Sequence, residues 1–294
     1  MCKRILFFLC LGFLSPLSSA VTPTDVFLKA SEVTEQVAAL KALRAKDFQP
    51  RVPGIQVGKT PLHAYGKALE LLEKIQRYQR EQQAPELKLP ELPQRQVKPA
   101  DVLSLMSLAQ RELSVLQQRQ NMSLSVFKAP AASMAKTPSD VYEQIWQASY
   151  LMDAMVEPIK PAHVMRNVDM IAQGLARIAA KMERSIELPS AQTYTTKKPV
   201  DVTIQLYKLL YKLALLERKM SLKPLLVPVF PAGKIKPEDA YDATGNVLAD
   251  VTRITVKLDL PSVKRPPTPQ GKITPNDVYA QVVRLNQTAA QLID

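Results

Sequence analysis

Glycine, cysteine and histidine are all scarce in this chain, and each scarcity removes a class of function. The eight glycines among 294 residues form neither a Gly-rich phosphate loop nor a serine-elbow turn. Both cysteines, Cys2 and Cys10, fall in the first ten residues, so the rest of the chain has no disulfide framework and no cysteine metal site. The only histidines are His63 and His163, and neither has a carboxylate at a spacing with a recognised metal or acid–base mechanism. No catalytic residue, metal ligand or cofactor is therefore expected.

Apolar runs are equally few. The ten residues Ile5 to Leu14 form one, preceded by basic Lys3 and Arg4 and followed by Ser18-Ser19-Ala20. That three-part layout predicts a secretory signal peptide over residues 1–20, too short for a permanent membrane span. Cys10 lies inside the apolar core without small residues before it, which argues against lipid attachment. Cleavage after Ala20 leaves no thiol and no transmembrane anchor. The expected location is the bacterial periplasm, with secretion as the alternative. It also lowers the formal charge from +12 to +10 by removing Lys3 and Arg4. An exported protein this basic favours anionic partners such as phospholipid headgroups or acidic polysaccharide. No specific nucleic-acid binding is expected.

What the chain does have is proline at regular intervals. Pro23, Pro61, Pro99, Pro138, Pro161, Pro199, Pro237 and Pro275 are spaced by 38, 38, 39, 23, 38, 38 and 38 residues, which is the signature of a repeat architecture. Openings such as Thr22-Pro23-Thr24-Asp25 and Thr274-Pro275-Asn276-Asp277 read as helix starts. Proline suits the first helical position, threonine the cap, and aspartate the capping-box position, where the macrodipole favours negative charge. Lysine replaces the cap residue at Lys98, Lys160, Lys198 and Lys236, which should weaken those caps. His63 and His163 stand where the other units carry the aspartate, so a structural role is expected of both. An apolar residue two before the proline (Val21, Val97, Ile159, Ile235, Ile273) predicts a hydrophobic staple.

Positions 3, 7, 10, 14 and 17 after each proline form the seam of a bundle helix. Of these 40 positions 39 are apolar, Thr244 excepted, against about 18 expected from composition. The repeats therefore predict an all-α protein of eight single-helix units, with helices of about 20 to 24 residues. Proline-rich linkers such as Leu87–Pro93 and Val227–Pro231 are predicted to be extended. About 14 such residues reach over 40 Å, enough to return along a helix. Successive helices would then run parallel, with apolar linker residues packed in the grooves between them.

The 23-residue interval is too short for such a return, so an antiparallel hairpin is expected between units four and five. It divides the chain into residues 21–158 and 159–294, two four-helix modules. A continuous α-solenoid is the alternative.

For function, lysines crowd the helix starts. Lys136, Lys160, Lys197, Lys198 and Lys236, with Lys264 and Arg265 in the last linker, are the candidate anion- or partner-binding residues, reinforced by converging helix N-termini. Trp146, Met152 and Met155 form a candidate partner surface near the central junction, or else fill it. The aromatic stripe Phe27, Tyr65, Tyr142, Tyr241 and Tyr279 is expected to flank the seam. The expected function is a non-enzymatic envelope scaffold or adaptor that binds an anionic polymer, the membrane surface or another envelope protein. A small-molecule-binding or sensory bundle is the alternative. It requires polar residues interrupting the seam at one level, and Thr244 stands alone.

Overall fold

The computed structural model describes residues 20–45, 47–49, 51–52, 54–122, 127–128, 134–188, 190 and 192–294. The expected signal peptide thus falls, except for Ala20, outside the described residues. Among those described the chain is helical, without strands. The helices are α1 (Pro23–Arg44), α2 (Pro61–Glu81), α3 (Pro99–Arg119), α4 (Pro138–Met152), α5 (Pro161–Lys181), α6 (Pro199–Lys219), α7 (Pro237–Lys257) and α8 (Pro275–Ile293). Every one begins at its repeat proline.

The caps explain why. At Thr22, Thr137 and Thr274 the hydroxyl accepts the amide of the aspartate three residues on, at 3.3–3.4 Å. That aspartate accepts the cap residue's own amide at 2.7–2.8 Å. Lysine offers no acceptor, so Lys98, Lys198 and Lys236 keep the aspartate half of the box alone, at 2.7–2.8 Å. At Lys160 and Thr60 an imidazole replaces the carboxylate, Nδ1 of His163 and His63 accepting the cap amide at 3.0 and 3.3 Å.

All 40 seam positions are buried, Thr244 among them. They form two cores, one from α1–α4 and one from α5–α8. In each bundle the first helix packs on the third and fourth, and so does the second. The arrangement α1-α4-α2-α3 recurs as α5-α8-α6-α7, as expected of an internal duplication, and the two closed rings exclude a continuous solenoid. Within each ring the helices run parallel. Pro23, Pro61, Pro99 and Pro138 surround one small apolar cavity, and Pro161, Pro199, Pro237 and Pro275 surround its counterpart. Hydrogen bonds between helices also join residues at similar heights, as in Gln36 Nε2 to Ser114 Oγ (3.1 Å) and Lys212 Nζ to Asn286 O (2.7 Å).

Three expectations need correction. First, α4 spans 15 residues rather than 20 or more. Its end tightens into three-residue hydrogen bonds from Asp153, Ala154 and Met155 back to Tyr150, Leu151 and Met152, which turns the chain toward α5 while Met155 stays buried. Second, chain direction does reverse at this junction, but α4 and α5 do not pack as a hairpin. The antiparallel contact is between α2 and α7. Third, the linkers are only partly packed. Leu87 and Val263 are buried and Leu89, Ile186 and Leu260 lie against the cores. By contrast Val52, Ile55, Leu226 and Val229 are 89, 81, 62 and 78 % exposed.

The helix ends repeat a feature that the apolar pattern hides. Gln83, Asn121, Glu183, Ser221 and Asp259, all 22 residues after their prolines, have φ between 50 and 56°. Each opens a Schellman-type cap in which the next amide reaches a carbonyl five residues back, as from Arg184 to Ala179 (3.0 Å) and Leu222 to Glu217 (2.8 Å). Four of the five are neither Asn nor Gly, the residues suited to this left-handed conformation. Replacing Glu183 or Ser221 with glycine is therefore expected to stabilise the protein by about 0.5–1 kcal/mol each, read as a rise of roughly 2 °C in Tm.

Candidate functional site

The densest set of ionisable side chains lies where α2 crosses α7. On α2 they are His63, Lys67, Glu70, Glu73 and Lys74; on α7, Asp239, Asp242 and Asp250, with the amide of Asn246 between them, recur every three or four residues along one face. Each helix already gives its seam to its own bundle, so this second face is buried by the other bundle. His63 lies opposite Asp250, Lys67 opposite Asp242, and Glu73 opposite Tyr241, a register that only antiparallel helices allow.

At the centre, Lys67 Nζ bridges Asp242 Oδ1 (2.5 Å) and Glu70 Oε2 (2.6 Å). The other Asp242 oxygen accepts the Trp146 indole N–H at 2.9 Å and the Tyr150 hydroxyl at 3.1 Å. Glu70 Oε1 accepts the Ser149 hydroxyl at 2.7 Å. Lys74 binds Asp153 at 2.6 Å and the Ser149 carbonyl at 3.1 Å. Toward one side Lys59 donates to Asn246 Oδ1 at 2.7 Å and stands over the Tyr142 ring at 4.8 Å. Arg51 pairs with Asp239 at 2.6 Å. Toward the other, Glu73 receives Arg166 and the Tyr241 hydroxyl, at 2.9 and 2.6 Å, and pairs with Arg265 from the last linker.

Burial and charge pull the ionisation of these groups in different directions. Desolvation raises Glu70, but Lys67 and Lys74 outweigh it and hold its carboxyl down at about 2. For Asp242 desolvation prevails over the same lysine and lifts the carboxyl to about 6. Burial lowers Lys59 to about 8 and raises Glu217 to about 7, although Arg253 binds it at 2.8 Å. Groups suited to proton transfer thus sit side by side, yet they bind one another, and Ser149 has no exposed surface. Three surface grooves of about 400–450 Å³ are lined by other residues. Among the described residues no group of three or more His, Asp or Glu is placed to hold a metal ion.

The candidate residues separate accordingly. Lys160, Lys197, Lys198 and Lys236 gather at the N-terminal end of the second bundle. There Lys160 pairs with Glu157 at 2.5 Å and Lys197 lies over Tyr279 at 4.5 Å, while Lys198 and Lys236 are exposed. Lys136, over Phe27 at 4.6 Å, marks the corresponding end of the first bundle. Because the bundles are antiparallel, that end faces the opposite way. Lys264 is exposed, whereas its neighbour Arg265 is directed into the interface. The Trp146–Met152–Met155 surface is not a free one: Met152 is 0 % and Met155 8 % exposed, and Trp146 binds Asp242 of the other bundle. Thr244 donates to the Tyr241 carbonyl at 2.6 Å and accepts from Asn167 at 3.0 Å, so it opens no ligand level in the core.

The sequence signal for this interface was the acidic stripe Asp239–Asp242–Asp250 opposed by Lys67 and Lys74. Charge stripes of that kind ordinarily mark solvated helix faces. No protein-family model matches the chain, and neither a curated protein nor a solved structure does.

Two outcomes follow. Lys67→Met leaves Glu70 and Asp242 buried beside each other without their shared cation, and is expected to cost about 3–5 kcal/mol in denaturant unfolding. The triple variant Lys67→Met/Glu70→Gln/Asp242→Asn should recover most of that loss. His163 can cap α5 only while its Nδ1 is unprotonated, and burial, with Arg77 and Arg166 nearby, lowers it to about 4. Its contribution is fully present above pH 6.5 and is lost as pH falls from there through about 4. His163→Asp should abolish that loss in unfolding measured at pH 4 to 7.

Proposed function

We propose that the protein is a non-enzymatic scaffold of the bacterial envelope that acts after export and docks on an anionic surface. One observation carries this reading. The buried acids and bases neutralise one another between the bundles, while the excess positive charge of the chain is left outside. A catalytic or sensory site needs titratable groups open to a ligand. Here those groups bind two bundles into a fixed antiparallel pair, which suits an object whose role is to present surfaces.

Lysine side chains, rather than free helix amides, supply the attraction. Each cap amide already has an aspartate or histidine acceptor, as at Lys198 and Lys236, so the macrodipole adds little to what the ammonium groups offer. The N-terminal end of the second bundle, with Lys160, Lys197, Lys198 and Lys236, is the larger cluster. No described helix is long and apolar enough to cross a membrane, which fits attachment from one side.

The test is binding of the full chain to beads carrying a carboxylated or phosphorylated polymer, or anionic vesicles, across a salt series. The expected result is retention at 50 mM salt that is lost by about 500 mM, and at least tenfold weaker for Lys197→Glu/Lys198→Glu/Lys236→Glu. Absence of any retention at low salt, or retention unchanged by salt, contradicts the proposal.

A further inference from the structure

Resting on that reading, the structure assigns the anionic surface a chemistry and this protein a docking face: a bilayer containing acidic lipid, met by the outer side of α6 together with the α1–α2 and α6–α7 linkers. Among the described residues twelve large apolar side chains are conspicuously exposed, and nine belong to these three segments: Val52, Ile55 and Val57; Ile204 and Tyr211; Leu226, Val227, Val229 and Phe230. The two linkers adjoin one another, and the second adjoins α6. Gly58, with φ of 68°, lies so close to Leu226 that a β-carbon there would stand 3.2 Å from it, joining the first linker to the second. Phe230 meets Tyr207 edge to face at 4.9 Å, and both line a groove of about 440 Å³ with Ile204, Lys208, Tyr211 and Lys212. A soluble surface rarely leaves so much apolar area together without a partner.

Charge selects the partner. From Val202 to Lys236 the chain carries Lys208, Lys212, Arg218, Lys219, Lys223, Lys234 and Lys236 against a single acid, Glu217. Glu217 is wholly buried and bound by Arg253. No acid lies between Asp47 and Glu70 in the other linker region. Apolar side chains flanked by lysines, with tyrosines at the boundary, match an interface of headgroups over acyl chains.

The backbone of the α6–α7 linker is also suited to leaving water. Pro224, Pro228 and Pro231 have no N–H. The Leu225 amide donates to Glu217 at 2.9 Å, and the Val229 carbonyl accepts the Tyr207 hydroxyl at 2.9 Å. The missing amides and the two paired groups lower the cost of desolvating the backbone, the main obstacle to putting a linker into a bilayer interface. Its side chains protrude, Val229 by 78 % and Leu226 by 62 %. That shape enters a fluid surface more readily than it receives a protein helix, which needs a deep channel.

The test uses the full chain with Cys2→Ser and Cys10→Ser, carrying an environment-sensitive fluorophore at Val229→Cys or, as reference, at Glu35→Cys on α1. Vesicles of phosphatidylcholine alone are compared with vesicles containing 30 % phosphatidylglycerol. The expected result is a blue shift at position 229 but not at 35, with acidic vesicles only. Leu226→Asp/Val229→Asp and Lys208→Glu/Lys223→Glu, at exposed positions, should each weaken vesicle binding at least tenfold without changing Tm. Binding to acidic vesicles with position 229 still in water, or undiminished in both variants, overturns this assignment while leaving the anionic-surface reading in place. So does binding only to a soluble polyanion or an acidic protein. Failure to bind any anionic probe overturns both.

Discussion

Four helices that all point the same way are the constraint from which the rest of this structure follows. Parallel neighbours cannot be joined by a short turn, so each linker must travel the length of a helix before the next begins. This sets the 38-residue period and calls for stiff, extended connections, which proline provides. Parallel packing also gathers four positive helix ends at one pole of each bundle. The aspartate or histidine at the third helical position answers that, since its acceptor faces the cap amide just where partial charge accumulates. Pairing the bundles head to tail sets the positive pole of one beside the negative pole of the other.

The contact that enforces this pairing is polar. Ion pairs removed from water seldom add much to stability, because desolvation offsets their attraction. They do penalise misalignment, since a displaced helix would leave a charge buried and unpaired. Along α2 and α7, Lys67 meets Asp242, His63 meets Asp250 and Glu73 meets Tyr241 in one register and one direction. The apolar seams hold each bundle together without distinguishing one bundle surface from another. The ion network makes that distinction, and Ala249 of α7, which reaches the first core, adds a small apolar contact beside it.

Much of this was legible from the chain. Proline, cap and seam positions located every helix start and the 40 buried seam residues, because a one-dimensional repeat writes the same local physics eight times. Linker length was enough to give the parallel direction. The length of α4 was not legible, since its seam residue Met155 is buried from a turn as effectively as from a helix. Nor was the interface: Lys67, Glu70 and Asp242 look like solvated residues until a second bundle covers them. Arg265 followed suit, a linker cation whose carboxylate partner, Glu73, lies in another module. Met152 and Met155 are buried and Trp146 half-buried by packing that no local pattern records. The exposed linker residues were missed for the converse reason. Val229 and Leu89 occupy similar proline-flanked contexts, and only one of them finds a groove to fill.

Parallel orientation within a bundle is therefore the claim to measure. In a chain freed of Cys2 and Cys10, spin labels at Ala162 and Glu238, near the starts of neighbouring helices α5 and α7, should lie within about 20 Å, given helix axes 8–10 Å apart. Labels at Ala162 and Lys257, at the far end of α7, should be separated by about 30 Å or more, a full helix length. The reverse order of those two distances would mean an up-and-down bundle, and would contradict the account.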